Sequence, residues 1–235
     1  MRNESEIPVP PWRRSGAQRS SKPQLSTELI VRTALELLDA EGLDAVTMRR
    51  VAHALGTGAA SLYAHVSGKA ELDELMLDRT LAEVELPEPD EHCWIEQTKG
   101  LLCGQLHAMM AHPGIAKVAW STMVPVGTHA LRHVEALLAL LRAGGLSERH
   151  AAYGLDVLSM YTKAFAYEGS IWASGAIDAE AARRGEQVAA YLESLPSQMF
   201  AHTRTIGAYF NADTAADRFE FGLDAILHGL TAQAA

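Results

Sequence analysis

Cysteine is nearly missing from this sequence. Its 235 residues include two, Cys93 and Cys103. Two cannot build a disulfide framework or a four-ligand zinc site. Ten residues apart on one predicted helix, they are too far apart to bond each other. Long apolar runs are missing as well. No stretch of about 18 apolar residues occurs, so no membrane span is expected. The opening segment MRNESEIPVPPWRR has no apolar centre of signal-peptide type. These absences point to a reducing, cytoplasmic setting. Strand signals are missing too: no segment alternates apolar and polar residues between turn pairs, so no sheet is expected. Neither a Gly-rich phosphate loop, nor HExxH, GxSxG or a paired-carboxylate motif is present, which argues against an enzyme. No cofactor and no metal site are expected.

Positive charge is also short. The formal net charge is −9 and the sequence pI is near 5.5. A nucleic-acid partner needs a positive surface, so the total argues against one. Its distribution reverses that. Residues 1–70 hold nine Lys/Arg against seven Asp/Glu, and residues 71–235 hold eleven against twenty-two. The acidity belongs to the second part of the chain, and the first part is mildly basic.

What is present is helical periodicity from Leu25 nearly to the end. Residues 1–24 read as a flexible basic tail, broken by Pro8, Pro10, Pro11 and Pro23. Ile30, Ala34, Leu37 and Leu38 share one face of a first helix, capped by Ser26 and closed by Gly42. Thr47 opens a second, short helix with Met48, Val51, Ala52 and Leu55 inward, ended by Gly56. A third runs over about 58–65 with Leu62 inward. Ser67 is expected to cap a longer helix over 69–85, whose apolar residues cover more than one face, as a helix joining two packing units requires. Pro87 and Pro89 mark a domain boundary. Further helices are predicted at about 92–111, 115–122, 127–143, 147–173, 179–194, 197–209 and 214–231. In the last, Phe219, Leu223, Ile226 and Leu230 form one stripe. Gly222 and Gly229 share a face, either as core packing or as a dimer seam.

The stretch Val46–Lys69, VTMRRVAHALGTGAASLYAHVSGK, carries the chemistry. Two short helices around a glycine turn form a helix-turn-helix, and the helix at 26–41 supplies the wall they bury against. The second helix of the pair can then enter a major groove, about 12 Å wide. Its outer face offers Thr57, Ala59, Ala60, Ser61, Tyr63 and His65. Arg49 can reach a guanine edge or a phosphate. Lys69 and the amides of the next helix start can hold a phosphate. Tyr63 is read as a phosphate contact, with a core or interface role as its alternative.

The run Thr47-x-Arg49-x-x-Ala52-x-x-Leu55-Gly56, then Leu62-Tyr63-x-His65-Val66, then Lys69-x-x-Leu72, resembles the DNA-binding domain of the tetracycline-repressor (TetR) family. The resemblance extends, through His112-Pro113, Ala116-Lys117-Val118 and the helix at 147–168, over roughly residues 25–172. It implies an all-α homodimer: a three-helix DNA-binding domain at 25–68, a connecting helix at 69–86, and a ligand-binding and dimerisation domain at 87–235. Helices similar to 147–173 and 214–231 would form a four-helix dimer bundle. Ligand binding would move the connecting helix and release a palindromic operator. By position, Arg49, Ser61, Tyr63, His65 and Lys69 match DNA-contacting residues, and Thr47 matches a helix-start phosphate contact. Ala59 and Ala60 replace bulkier readers, so the family's operator does not carry over.

The second domain is rich in large apolar side chains. Trp120, Met123, Tyr161, Phe165 and Trp172 are candidate walls of an effector pocket, with His107, Thr122 and Glu168 as polar handles. The family's tetracycline is held as a magnesium chelate by a histidine whose place here is taken by Ala119. An apolar or aromatic effector, an antibiotic or natural product, is expected instead. His129 and His133, four apart on one helix, have the spacing of a metal pair. Without a third ligand they are read as solvent-facing. Cys93 and Cys103 are read as buried fillers. The expected function is a ligand-responsive repressor. An all-α small-molecule enzyme and a constitutive DNA-binding protein without effector stay open as alternatives.

Overall fold

The computed structural model describes residues 25–112, 114–122, 125–173, 178–209 and 214–234. The N-terminal tail and Met123 therefore lie outside the described residues, and Trp172 is described by its backbone alone. Every regular element among the described residues is helical. No helix among them is long and apolar enough to cross a membrane.

The head comes first. Helix α1 (Thr27–Glu41) starts where Ser26 Oγ accepts the Leu29 N–H at 3.2 Å, and it ends at Gly42. A 3-10 turn (Leu43–Ala45) leads to α2 (Met48–Ala54), capped by Thr47 Oγ through the Arg50 N–H at 3.1 Å. Such a cap is worth about 1 kcal/mol. At its other end Gly56 has φ +65°, Gly56 N–H reaches His53 O, and Thr57 N–H reaches Ala52 O. These paired bonds are a Schellman close, which needs a left-handed residue that glycine supplies without a Cβ clash. Helix α3 (Ala59–Leu62) follows and is shorter than the predicted 58–65, since residues 63–65 continue as a turn. Ile30, Ala34, Leu38, Val46, Val51, Ala52, Leu62 and Val66 are fully or almost fully buried between these elements. Each such Val, Leu or Ile contributes about 1.5–3 kcal/mol by leaving water.

Helix α4 (Lys69–Leu81) connects head and core, stopping four residues before the predicted end at 85. It packs on α1 and on α5, α6 and α7, as its several apolar faces predict. Its N-cap is Gly68, not Ser67. Ser67 instead donates its backbone N–H to Glu71 Oε2 at 2.6 Å, so the carboxylate four residues on does the satisfying.

The core holds α5 (Trp94–Ala111), α6 (Ile115–Ser121), α7 (Thr128–Ala143), α8 (Glu148–Ala173), α9 (Asp178–Ser194), α10 (Ser197–Phe200) and α11 (Ala215–Ala234). Helix α8 is central, touching α5, α6, α7 and α11. The single helix predicted over 197–209 is broken: α10 is followed by a separate 3-10 segment, Thr203–Tyr209, packed on α9. Two expectations are corrected here. His133 is buried, at 4% exposure, because α7 turns it toward α4 and α5 where two partners meet its ring. Cys93 is exposed, because α5 begins one residue after it; Cys103 is half-buried.

Candidate nucleic-acid interface and effector core

The head presents its polar residues on one side. Thr47, Arg49, Ala60, Ser61 and His65 are exposed, and Tyr63 is 54% exposed despite its size. Thr57 and Ala59 are half-buried, with Ala59 packed on the core. Leu62 and Val66, between these exposed positions, are buried. The spacing thus separates an inner and an outer face within one turn and a half. Thr47 Oγ already accepts the Arg50 N–H, so its hydroxyl has only its proton to give a phosphate. Arg50 is not on the reading face in any free sense: it is ion-paired with Glu41, tying the end of α1 to α2. Lys69 is ion-paired with Asp73, one turn along α4. The Ser67 amide is taken by Glu71, whose carboxyl this hydrogen bonding holds below its usual range. The start of α4 thus presents an ammonium and first-turn amides together with a carboxylate.

In the core, three of the expected ligand residues converge. Tyr161, Phe165 and Glu168 lie on α8 and meet α11. The Tyr161 ring stacks on Phe219 at 5.4 Å between centroids, and Phe165 tilts onto Phe219 at 5.0 Å. Tyr161 donates its hydroxyl proton to Arg218 O at 2.9 Å. The Arg218 guanidinium sits over the Phe165 ring at 5.4 Å and 3.8 Å from Glu168 Oε1. Gly222 allows this approach: a Cβ there would lie 2.1 Å from the Tyr161 hydroxyl. One of the two helix glycines therefore serves packing within the chain, while Gly229 has open space around it. Phe219 reads from sequence as one of an apolar stripe, and neither it nor Arg218 is expected there beside a ligand residue. Nothing local in the sequence pairs residues fifty positions apart.

Of the other expected ligand residues, Met123 and the Trp172 side chain lie outside the described residues, and His107, Trp120 and Thr122 do not join this cluster in the single chain. His107 is exposed, and Trp120 is 56% exposed because α6 turns Ile115, Ala116, Val118 and Ala119 inward. Thr122 gives its hydroxyl proton to Val118 O at 2.9 Å. Among the described residues no group of three or more His, Cys, Asp or Glu could hold a metal ion. Desolvation first, and the neighbouring Asp90 charge second, raise the Cys93 thiol; burial raises Cys103. Both directions disfavour the reactive thiolate.

Head and core meet at more than α4. His112 Nδ1 lies 2.8 Å from Asp39 Oδ1 of α1, beside a cleft of about 300 Å³ that also includes Arg32, Arg79 and Glu83. Further out, Lys99 of α5 binds Glu220 at 2.8 Å and Asp224 at 2.9 Å on α11, and these contacts raise its ammonium well above the usual range.

Comparison with known proteins agrees with both halves. The family "Bacterial regulatory proteins, tetR family" matches residues 30–74, and "Tetracyclin repressor-like, C-terminal domain" matches residues 86–234. The HTH-type transcriptional repressor DrrR1 of Streptomyces coeruleorubidus is 32% identical over 90% of this chain and 79% of its own length. The tetracycline repressor protein class C of Escherichia coli is 29% identical over 88% of this chain and 91% of its own. Among solved structures, ActR of Streptomyces coelicolor in complex with actinorhodin superposes with a TM-score of 0.83 at 41% identity, covering 91% of this chain and 98% of ActR. With an outward-facing helix-turn-helix joined by α4 to an all-helical core, the chain belongs to the tetracycline-repressor family of ligand-responsive, DNA-binding transcriptional repressors.

Proposed function

We propose that this repressor acts in the cytoplasm as a homodimer on a palindromic operator. Residues 25–68 are the head, 69–86 the connector and 87–235 the effector and dimer core, with the basic tail at 1–24. The observation that carries the reading is the segregation on α2 and α3. Thr47, Arg49, Ser61, Tyr63 and His65 are exposed on a face whose neighbours Met48, Val51, Leu62 and Val66 are buried. A face of this kind, with Lys69 beside it, suits a major groove flanked by phosphates. One head is only mildly basic, so affinity depends on two heads presented together.

The dimer reading rests on apolar residues left outside. Tyr153, Val157, Met160 and Ile171 are exposed along α8, Phe221 is 75% exposed on α11, and Gly229, two turns further along α11, has open space around it. A monomer rarely leaves such a stripe in water. Val188, Tyr191, Met199, Ile206 and Tyr209 add exposed apolar area around α9. The effector is apolar or aromatic and occupies the core near Tyr161 and Phe165. Actinorhodin, bound by the similar ActR, is the first compound to try. The effector acts by binding the DNA-incompetent arrangement better; swinging a 1:99 balance to 99:1 takes about 5.5 kcal/mol of that preference.

The test is binding of the full chain to the DNA upstream of its own gene, followed by anisotropy at several salt concentrations. Sequence-selective, salt-dependent binding by a dimer is expected. Failure to bind, with and without added compounds, overturns the operator reading and revives the enzyme. If only straight-chain acyl compounds release the DNA, the aromatic effector is wrong.

A further inference from the structure

His133 is a buried polar residue, and each of its ring nitrogens has a partner. Nε2 lies 3.0 Å from Leu81 O, the last carbonyl of α4. A carbonyl can only accept, so Nε2 carries the proton. Nδ1 lies 3.0 Å from Gln105 Nε2 on α5. An amide nitrogen can only donate, so Nδ1 accepts. The two contacts together define a neutral ring in one tautomer.

A second bond links the same two helices in the opposite sense. Asp78 Oδ1 of α4 accepts the Ala130 N–H of α7 at 2.9 Å. The N-cap of α7 is Gly127, which has no side chain to do this. A Cβ at Gly127 would lie 2.2 Å from that same Asp78 oxygen. So α4 caps the start of α7, and α7 caps the end of α4. Asp78 and Leu81 are three apart on one helix, as Ala130 and His133 are on the other, and each pair lies on one face. The two links therefore fix one register between the helices.

We propose that His133 is a positioning residue that clamps the C-terminal end of the connecting helix, and that Gln105 steadies the clamp by holding the ring at its other nitrogen. The inference rests on α4 carrying the effector signal to the heads. A change in the core that draws Gln105 away removes the donor at Nδ1, loosens the ring and frees the end of α4. An axial slide of α4 breaks both links at once. The clamp thus holds the end of α4 in one register against α7.

The experiment measures the head–core distance in the ligand-free full chain by pulsed electron resonance. Spin labels are placed through His53→Cys on the head and Glu148→Cys on the core, with Cys93→Ser and Cys103→Ser, and labelled chains are diluted with unlabelled ones. With His133 present, one narrow distance is expected. His133→Leu should broaden or shift it and weaken operator binding about tenfold, the usual scale for a lost buried hydrogen bond. His133→Gln, which can still donate to Leu81 O, should keep the distance narrow. Gln105→Leu guards against a misfolded His133 variant. In it the head–core distance should broaden as well, while 15N resonances of His133 keep the Nε2–H form that Leu81 O still demands. A distance unchanged in His133→Leu while its melting temperature falls would make His133 a packing residue and overturn the proposal, as would a distance unchanged in Gln105→Leu. Absence of operator binding by the unmutated chain would sink the DNA reading and leave the distance comparison intact.

Discussion

The head and the core solve different problems with different bonds. In the head the side-chain bonds that shape each element are short-range. Ser26 caps α1 three residues on, Thr47 caps α2 three residues on, and Gly56 closes α2 through its own last turn. In the core the decisive polar bonds are long-range. Asp78 reaches Ala130, His133 reaches Leu81, and Tyr161 reaches Arg218. The difference teaches where each region can yield. A small unit closed by local bonds is a rigid reader, held or lost as a whole. A core joined by distant polar links can exchange partners and so respond to a ligand.

The largest test of that contrast removes the head's central side chain. Leu62 is fully buried, on the helix α3 that packs against α2. Leu62→Ala should cost about 2–5 kcal/mol. In calorimetry the head should melt early while the core transition holds; a single lowered transition would show that the two regions fold as one. Next, the reading face should carry affinity without carrying stability. Arg49→Ala should weaken operator binding by about 1–3 kcal/mol with an unchanged melting temperature. Unchanged affinity would place Arg49 facing solvent.

A third test uses pH to separate the regions. Burial lowers the His133 pKa, although its bond to Leu81 O opposes this. The unfolded chain then binds a proton more readily than the native one, so stability rises with pH. The contribution is complete above about 6.5, the ordinary histidine value, and is lost as pH falls from there toward the folded value. Denaturant titrations should show the core weakening over that acid range, and His133→Gln should flatten the slope. The smallest effect belongs to Glu71, which places a carboxylate where a phosphate approaches α4. Glu71→Gln should tighten operator binding about twofold at low salt and less at high salt.

Legibility followed the same division. The helix-turn-helix was readable because caps, glycine closures and inward residues sit within four positions of one another. Arg49, Ser61, Tyr63 and His65 all lie exposed on the head, where the spacing places them. Core helices were readable too, to within a few residues, from periodicity, except the single helix expected over 197–209, which breaks into α10 and a 3-10 segment. Partners were not. His133 reads from sequence as one of a solvent-facing pair, yet its Leu81 partner lies 52 residues away and its Gln105 partner 28. One signal was available: Gly127 starts a helix with no capping side chain, which implies a cap from elsewhere. Ser67, a reasonable cap by type, lost to Gly68 because the Glu71 carboxylate satisfied the Ser67 amide.

By itself the sequence determined the all-helical architecture, the helix-turn-helix with its outer face, and the separation of a mildly basic head from an acidic core. These follow from propensity, periodicity and charge, which act along the chain. Tertiary structure alone decided that Tyr161 and Phe165 close on Phe219 and that α4 and α7 cap each other. It also decided that a histidine is buried. A polar group can be buried only where distant helices bring it a partner, and no local pattern records which helix that will be.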